Sequence, residues 1–117
     1  MRLEGKAKLL RIHFGEDDRC GERSLYEAIV LKCHELDIAG VTVYRGLIGY
    51  GASTLIRRPH LLPFTHEAPI LVQIVDTEEK IQRLLPFLDG MVDEGLIATS
   101  DVDVVKYVHT EPLRHSG

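Results

Sequence analysis

The residues best placed to do chemistry fall in one short run. Arg45 is followed by Gly46, Gly49 and Gly51, with Tyr50 among them. Backbone amides in a glycine-rich turn form a concavity that binds anions, and arginine adds a planar, two-pronged donor. Glycines also permit positive φ and let a ligand approach the backbone closely. Tyr50 offers a flat aromatic face on which a ring can stack. The structural alternative is a tight turn, with Arg45 paired to a carboxylate of its own or a neighbouring subunit and Tyr50 as a packing anchor. The spacing is neither a dinucleotide fingerprint nor a Walker motif.

Further candidates lie outside this run. Arg57, Arg58 and His60 make a basic cluster on a chain of net charge −4. The cluster suits a phosphate or an acidic partner surface; otherwise it is a solvated loop tip. Arg11 and His13 share one face of the first expected strand, and Lys106 falls on a late one. If those strands are neighbours, the three line a cleft between subunits; the alternative is salt bridges to Asp101 or Asp103. The six histidines (His13, His34, His60, His66, His109 and His115) show no metal-ligand spacing. Cys20 and Cys33 make neither a disulfide scaffold nor a zinc motif. Cys33 falls on the apolar side of a helix as a small buried hydrophobe, and Cys20 in a polar loop. Ser53 and Thr54 lack the surroundings of an activated nucleophile. Glu16, Asp17 and Asp18 read as a solvated turn. The chain is therefore expected not to be an enzyme.

The elements that position these residues follow from periodicity. Residues 8–14 alternate as a strand, with Leu10, Ile12 and Phe14 on one face. Ser24 and Glu27 fit a capping box opening a helix, with Leu25, Ala28, Ile29, Cys33 and Leu36 as its apolar stripe. Gly40 is the expected stop. Residues 41–45 form a second strand and 70–75 a third. Between them, residues 46–68 make a long loop, and loops of that length in small domains are usually functional or disordered. A second helix opens at Asp76 or Thr77 and buries Ile81, Leu84, Leu85, Leu88, Met91 and Val92. Pro86 is expected to kink or break it. Residues 96–99 form a fourth strand, and 102–108 a further strand or its continuation. Residues 109–117 are a polar tail.

The order is β-α-β-β-α-β, an α+β, ferredoxin-like arrangement with two helices on one face of an antiparallel sheet. Strands apolar on both faces would leave one face wet in a lone domain, so association through the open face is expected. At 117 residues the chain is one domain. Its 44% hydrophobic and 27% charged content fits a globular protein. The negative charge excludes a nucleic-acid binder driven by phosphate neutralisation. No apolar run reaches the roughly 20 residues that span a bilayer, and the N-terminus has no signal-peptide core. A cytoplasmic protein without membrane insertion is expected.

Three stretches carry a family resemblance. Residues 40–51 (Gly-Val-Thr-Val-Tyr-Arg-Gly-Leu-Ile-Gly-Tyr-Gly), residues 8–16 with the helix opening Leu25-Tyr-Glu-Ala, and residues 101–106 (Asp-Val-Asp-Val-Val-Lys) resemble the small PII-like proteins known as domain of unknown function 190. The match covers about residues 6–108. It implies a homotrimer related to nitrogen-regulatory PII signalling proteins, which bind adenine nucleotides between subunits and contact a partner protein through the long loop. It thus implies a regulatory protein taking a small anionic ligand, such as AMP, ADP or ATP, at Arg45, Gly46, Gly49, Tyr50, Gly51, Arg57, Arg58 and Lys106. Residues 46–68 would face the partner. Two alternatives are a ligand-free interaction module and a trimer of the metal-tolerance type. One departure is visible: residues 93–97 (Asp-Glu-Gly-Leu-Ile) are acidic where PII proteins carry a glycine-rich phosphate loop.

Overall fold

A computed structural model describes residues 5–51, 56 and 68–108. The chain runs β1 (Gly5–Gly15), β2 (Arg19–Cys20), β3 (Arg23–Ser24), α1 (Leu25–Glu35), β4 (Gly40–Arg45), β5 (Pro69–Asp76), α2 (Glu78–Met91) and β6 (Leu96–Val104). The four long strands form one sheet in the order β4-β5-β1-β6. All three of its pairings are antiparallel. Strands β2 and β3 form a small hairpin, turned by Gly21 at φ 64°. A side chain rarely adopts that angle, so the position favours glycine. The expected α+β ferredoxin-like fold is what forms.

Period-two alternation decides which face is covered. Leu10, Ile12 and Phe14 of β1 and Ile70, Val72 and Ile74 of β5 are buried. They pack with Leu25, Ile29 and Cys33 of α1 and Ile81, Leu84 and Leu88 of α2 in a single core. Directly opposed residues of an antiparallel pair share a face. The other face therefore carries Leu9, Arg11 and His13 of β1 opposite Val75, Gln73 and Leu71 of β5. Neither helix packs on it.

The helix ends depart from the sequence expectation. Ser24 occupies the N-cap of α1, but its side chain makes no capping bond. Its backbone belongs to the β2–β3 ladder, and Glu27 turns to Arg23 at 3.8 Å. The helix ends before Gly40. Asp37, at φ 55°, donates its N–H to the His34 carbonyl (3.2 Å), and Ile38 donates to Cys33 (3.0 Å). That pair of bonds is a Schellman motif with aspartate in the place glycine usually takes. Gly40 instead opens β4 close to Val75, whose Cγ1 would lie 3.2 Å from an added Cβ.

Helix α2 also differs from expectation at one point. It runs unbroken through Pro86. Proline has no N–H for the Gln82 carbonyl. Both residues lie on the exposed face, where water can take that bond, while Leu84 and Leu88 are buried. Thr77 is the N-cap and accepts from the Lys80 N–H at 3.3 Å. Strand β6 is continuous through Val104, so the fourth and fifth expected strands are one.

Asp76, at the end of β5, is completely buried. Its Oδ2 accepts from the Ala39 N–H (2.8 Å) and its Oδ1 from the Thr77 N–H (2.6 Å). One carboxylate thus joins the entry to β4, the end of β5 and the start of α2. Replacing it would leave two inward-facing amides unpaired. Asp76→Ala is expected to destabilise the fold by about 2–4 kcal/mol in chemical denaturation.

Cys33 is fully buried, and desolvation of the thiolate pushes its pKa up to about 11. Its thiol therefore stays protonated and inert at neutral pH. Cys20 is half-buried on the β2–β3 hairpin. Iodoacetamide at pH 8 is expected to modify Cys20 first in the native protein, and Cys33 at a comparable rate only in denaturant. Peptide mass spectrometry checks this.

Candidate functional site

Four strand ends meet at one end of the sheet. Arg45 pairs with Ile70, Phe14 with Ile70, Gly15 with Pro69, and His13 with Leu96. Gly46 leaves β4 pressed against Pro69. Its N–H donates to the Pro69 carbonyl at 2.7 Å. A Cβ added to Gly46 would stand 2.7 Å from Pro69 Cγ and 3.3 Å from that carbonyl oxygen. Close approach, not positive φ, is why glycine is required here. Gly49 would meet Pro69 at an ordinary 3.5 Å, and Gly51 meets nothing within 4 Å. Among the described residues the positive-φ glycines are Gly5 and Gly21, so Gly46, Gly49 and Gly51 are not used for a left-handed backbone. On the other side, a Cβ on Gly95 would lie 2.5 Å from the His13 carbonyl, which pins the turn before β6 against β1.

These close approaches frame a cleft of about 540 Å³. That is within the size range of small-molecule sites. Phe14, Ile70, Leu71 and Leu96 give it apolar walls, and Ile48 joins them from the glycine run. Tyr44 and Tyr50 line it together with Gly46, Gly49 and Gly51. Tyr44 opposes Leu71, on the face that the helices leave open. Besides the two tyrosines, the titratable residues lining the cleft are His13, Asp18 and Glu94.

Arg45 points elsewhere. Alternation puts it on the opposite side of β4 from Tyr44, and its Nε donates to Glu16 Oε2 at 3.0 Å. Glu16 is only 10% exposed, whereas Arg45 is 51% exposed. The hydrogen bond to Glu16 pushes the pKa of Arg45 above its ordinary value. Glu16 also holds the far root of the 46–68 segment. Its Oε1 accepts from the Ala68 N–H (3.3 Å), and its own N–H donates to the Ala68 carbonyl (2.9 Å). The Glu16–Asp18 stretch is a turn with Asp17 exposed, but Glu16 and Asp18 on either side of it are half-buried and bonded. Asp18 Oδ2 accepts from the Gly15 N–H at 3.4 Å, and its carbonyl accepts from Leu25 at 2.8 Å.

The other expected site residues fall differently. Lys106 lies beyond the end of β6, where Val104 pairs with Gly5. His13 is eight residues further along β1, about 26 Å at strand rise. Within one chain, Lys106 is at the far end of the sheet from the cleft. Arg11 and His13 do share the open face with β6 as neighbour, opposite Ala98 and Leu96. Asp101 pairs with Lys8 on the helix-facing side. That bond holds its carboxyl below the usual aspartate range. Arg57, Arg58, His60 and His66 lie outside the described residues. Among the described residues, no group of three or more His, Cys, Asp or Glu side chains could hold a metal ion. No described helix is long and apolar enough to cross a membrane.

Glu16, Asp18, Pro69, Glu94 and Gly95 were not marked as site residues from sequence. Their contribution comes from strand pairing over long separations, which local pattern does not carry. The available signals were the acidic run at residues 93–97 and Gly95 between a helix and a strand.

Comparison with known proteins agrees with this architecture. The family called domain of unknown function 190, described as uncharacterized ACR, matches residues 7–104. A UPF0166 protein of Aquifex aeolicus is 37% identical over 100 residues, covering 86% of this chain and 94% of that protein. A UPF0166 protein of Methanocaldococcus jannaschii is 33% identical over 102 residues, with the same coverage. Among solved structures, CPII, a nitrogen regulatory PII-like protein from Thiomonas intermedia K12 bound to ADP, AMP and bicarbonate, superposes with a TM-score of 0.62. It is 22% identical, over 85% of this chain and 88% of that one. The GlnK–ATP complex of B. subtilis gives 0.54 at 9% identity, over 86% and 84%. At those identities the likeness is one of fold.

The steric account of the cleft separates two glycines. Gly46→Ala is expected to cost about 1–3 kcal/mol of stability, because Pro69 and the strand behind it must shift. Gly51→Ala is expected to stay within about 0.5 kcal/mol. Urea denaturation of both variants checks the difference.

Proposed function

The chain belongs to the domain of unknown function 190 family, and on that premise we propose that it is a PII-like regulatory protein that binds an adenine nucleotide in the cleft at the sheet end. The carrying observation is the position of that cleft. Two tyrosines and an apolar wall line a space of about 540 Å³ directly beside the first root of the 46–68 segment. The adenine packs against Tyr44 and Tyr50, with Gly46, Gly49 and Gly51 letting it approach the backbone. The CPII structure, with its ADP and AMP, supports adenine nucleotides as the ligand class.

Signalling in this reading runs through Arg45. A phosphate at the cleft recruits that guanidinium only by drawing it from Glu16. Glu16 also grips Ala68, so both roots of the segment respond. A ligand shifts such an equilibrium only if it binds the two loop arrangements differently, and competition for Arg45 supplies that difference. Residues 46–68, including Arg57 and Arg58, face a partner protein. The open sheet face, with Leu9, Leu71 and Val75, associates in a homotrimer. Lys106, distant from the cleft of its own chain, would reach a cleft only across such an interface. The protein acts in the cytoplasm and turns nothing over.

One observation favours a second reading. Leu47 is 79% exposed and Tyr50 72%. These side chains, at the start of the loop, can dock a partner with no small ligand involved.

Isothermal titration with AMP, ADP, ATP and cyclic AMP separates the readings. Saturable binding near one site per chain is expected. Tyr50→Ala should weaken it about tenfold, the scale of one lost base–aromatic stack. Arg45→Ala should weaken AMP binding while leaving the oligomeric state unchanged in light scattering. Silence with all four nucleotides would favour the interaction module.

A further inference from the structure

The charges around the cleft restrict which nucleotide fits, and this inference rests on the nucleotide reading above. Asp18 and Glu94 line the cleft, together with His13. Among the described residues, no lysine or arginine lines it. Three donors near the cleft already have acceptors. The Gly46 N–H is given to the Pro69 carbonyl at 2.7 Å. The Gly15 N–H is given to Asp18 at 3.4 Å, and the Arg45 Nε to Glu16 at 3.0 Å.

We infer that Glu94 is a specificity-determining residue that makes the cleft a site for an adenine nucleoside bearing at most one phosphate, and that it selects against di- and triphosphate chains. Gly95 explains why Glu94 cannot swing away with its backbone. The neighbouring turn is pressed on the His13 carbonyl with no space for a Cβ, so Glu94 is held at the cleft wall. A carboxylate at that place disfavours phosphate oxygens, which only accept. The Coulomb penalty grows with each added phosphate. One phosphate adds the least negative charge beside Glu94 and Asp18, and each further phosphate adds more.

The experiment is a titration of adenosine, AMP, ADP and ATP, without divalent cations, into the wild-type protein and into Glu94→Gln. Glu94 is exposed, so the substitution leaves the fold intact. Wild type is expected to bind adenosine and AMP at least about tenfold more tightly than ATP. Glu94→Gln should raise ATP affinity about fivefold or more and leave adenosine within about twofold. Glu94→Lys should raise ATP affinity further. ATP binding as tight as AMP in wild type, or equal effects of Glu94→Gln on adenosine and ATP, would overturn the inference while leaving the nucleotide site standing. Silence with all four ligands would remove the nucleotide site itself.

Discussion

Everything at the candidate site depends on the contact between Gly46 and Pro69. The backbone of β4 leaves the sheet so close to β5 that no side chain fits between them. The short hydrogen bond from Gly46 to the Pro69 carbonyl fixes that approach. From this point the chain can turn across the strand ends, bringing Ile48 and Tyr50 over Ile70 and Leu71. With a Cβ at Gly46 the segment would be pushed away from β5, and the cleft would lose one wall. Gly95 does the equivalent on the other side, where the turn before β6 rests on the His13 carbonyl. Two missing side chains define the cleft as much as the residues that line it.

The two ends of the sheet are locked in different ways, and the difference bears on function. At one end Asp76 is fully buried and satisfied by two backbone amides. Nothing competes with it from solvent, so that end is permanent. At the other end Glu16 is nearly as enclosed, yet one of its partners, Arg45, is half exposed. A buried acceptor with an exposed cationic donor is an exchangeable link, because an incoming anion can reach the donor. The backbone bonds between Glu16 and Ala68 keep the root in register while that link changes. The role proposed above calls for one fixed end of the domain and one exchangeable end, and the links of Asp76 and Glu16 differ in that sense.

The framework was largely legible because burial imposes periodicity. Leu10, Ile12 and Phe14 marked β1, and the Leu84–Leu88 stripe marked α2, since each must face one core. The glycine run lines the cleft. Its rationale was different, because packing against Pro69, and not positive φ, requires Gly46. Local signals misled where long-range contacts took over. Ser24 looked like a capping residue, but its backbone is used by the β2–β3 ladder. Pro86 looked like a break, but it sits on the solvent side of a helix held by buried leucines. Glu16 looked solvated because its partners are 29 and 52 residues away in sequence. Lys106 shares no end of the sheet with the glycine run, which only the β1–β6 register reveals.

The most direct measurement of the central claim is an amide-resolved NMR titration of the protein with AMP. The account predicts shifts clustered at His13, Gly46, Gly49, Tyr50 and Gly95, together with Glu16 and Ala68 across the loop roots. Amides around Asp76, at the far end of the sheet, should not move. Shifts confined to the Asp76 end, or changes at the cleft with none at Glu16 and Ala68, would contradict the coupling of ligand to loop.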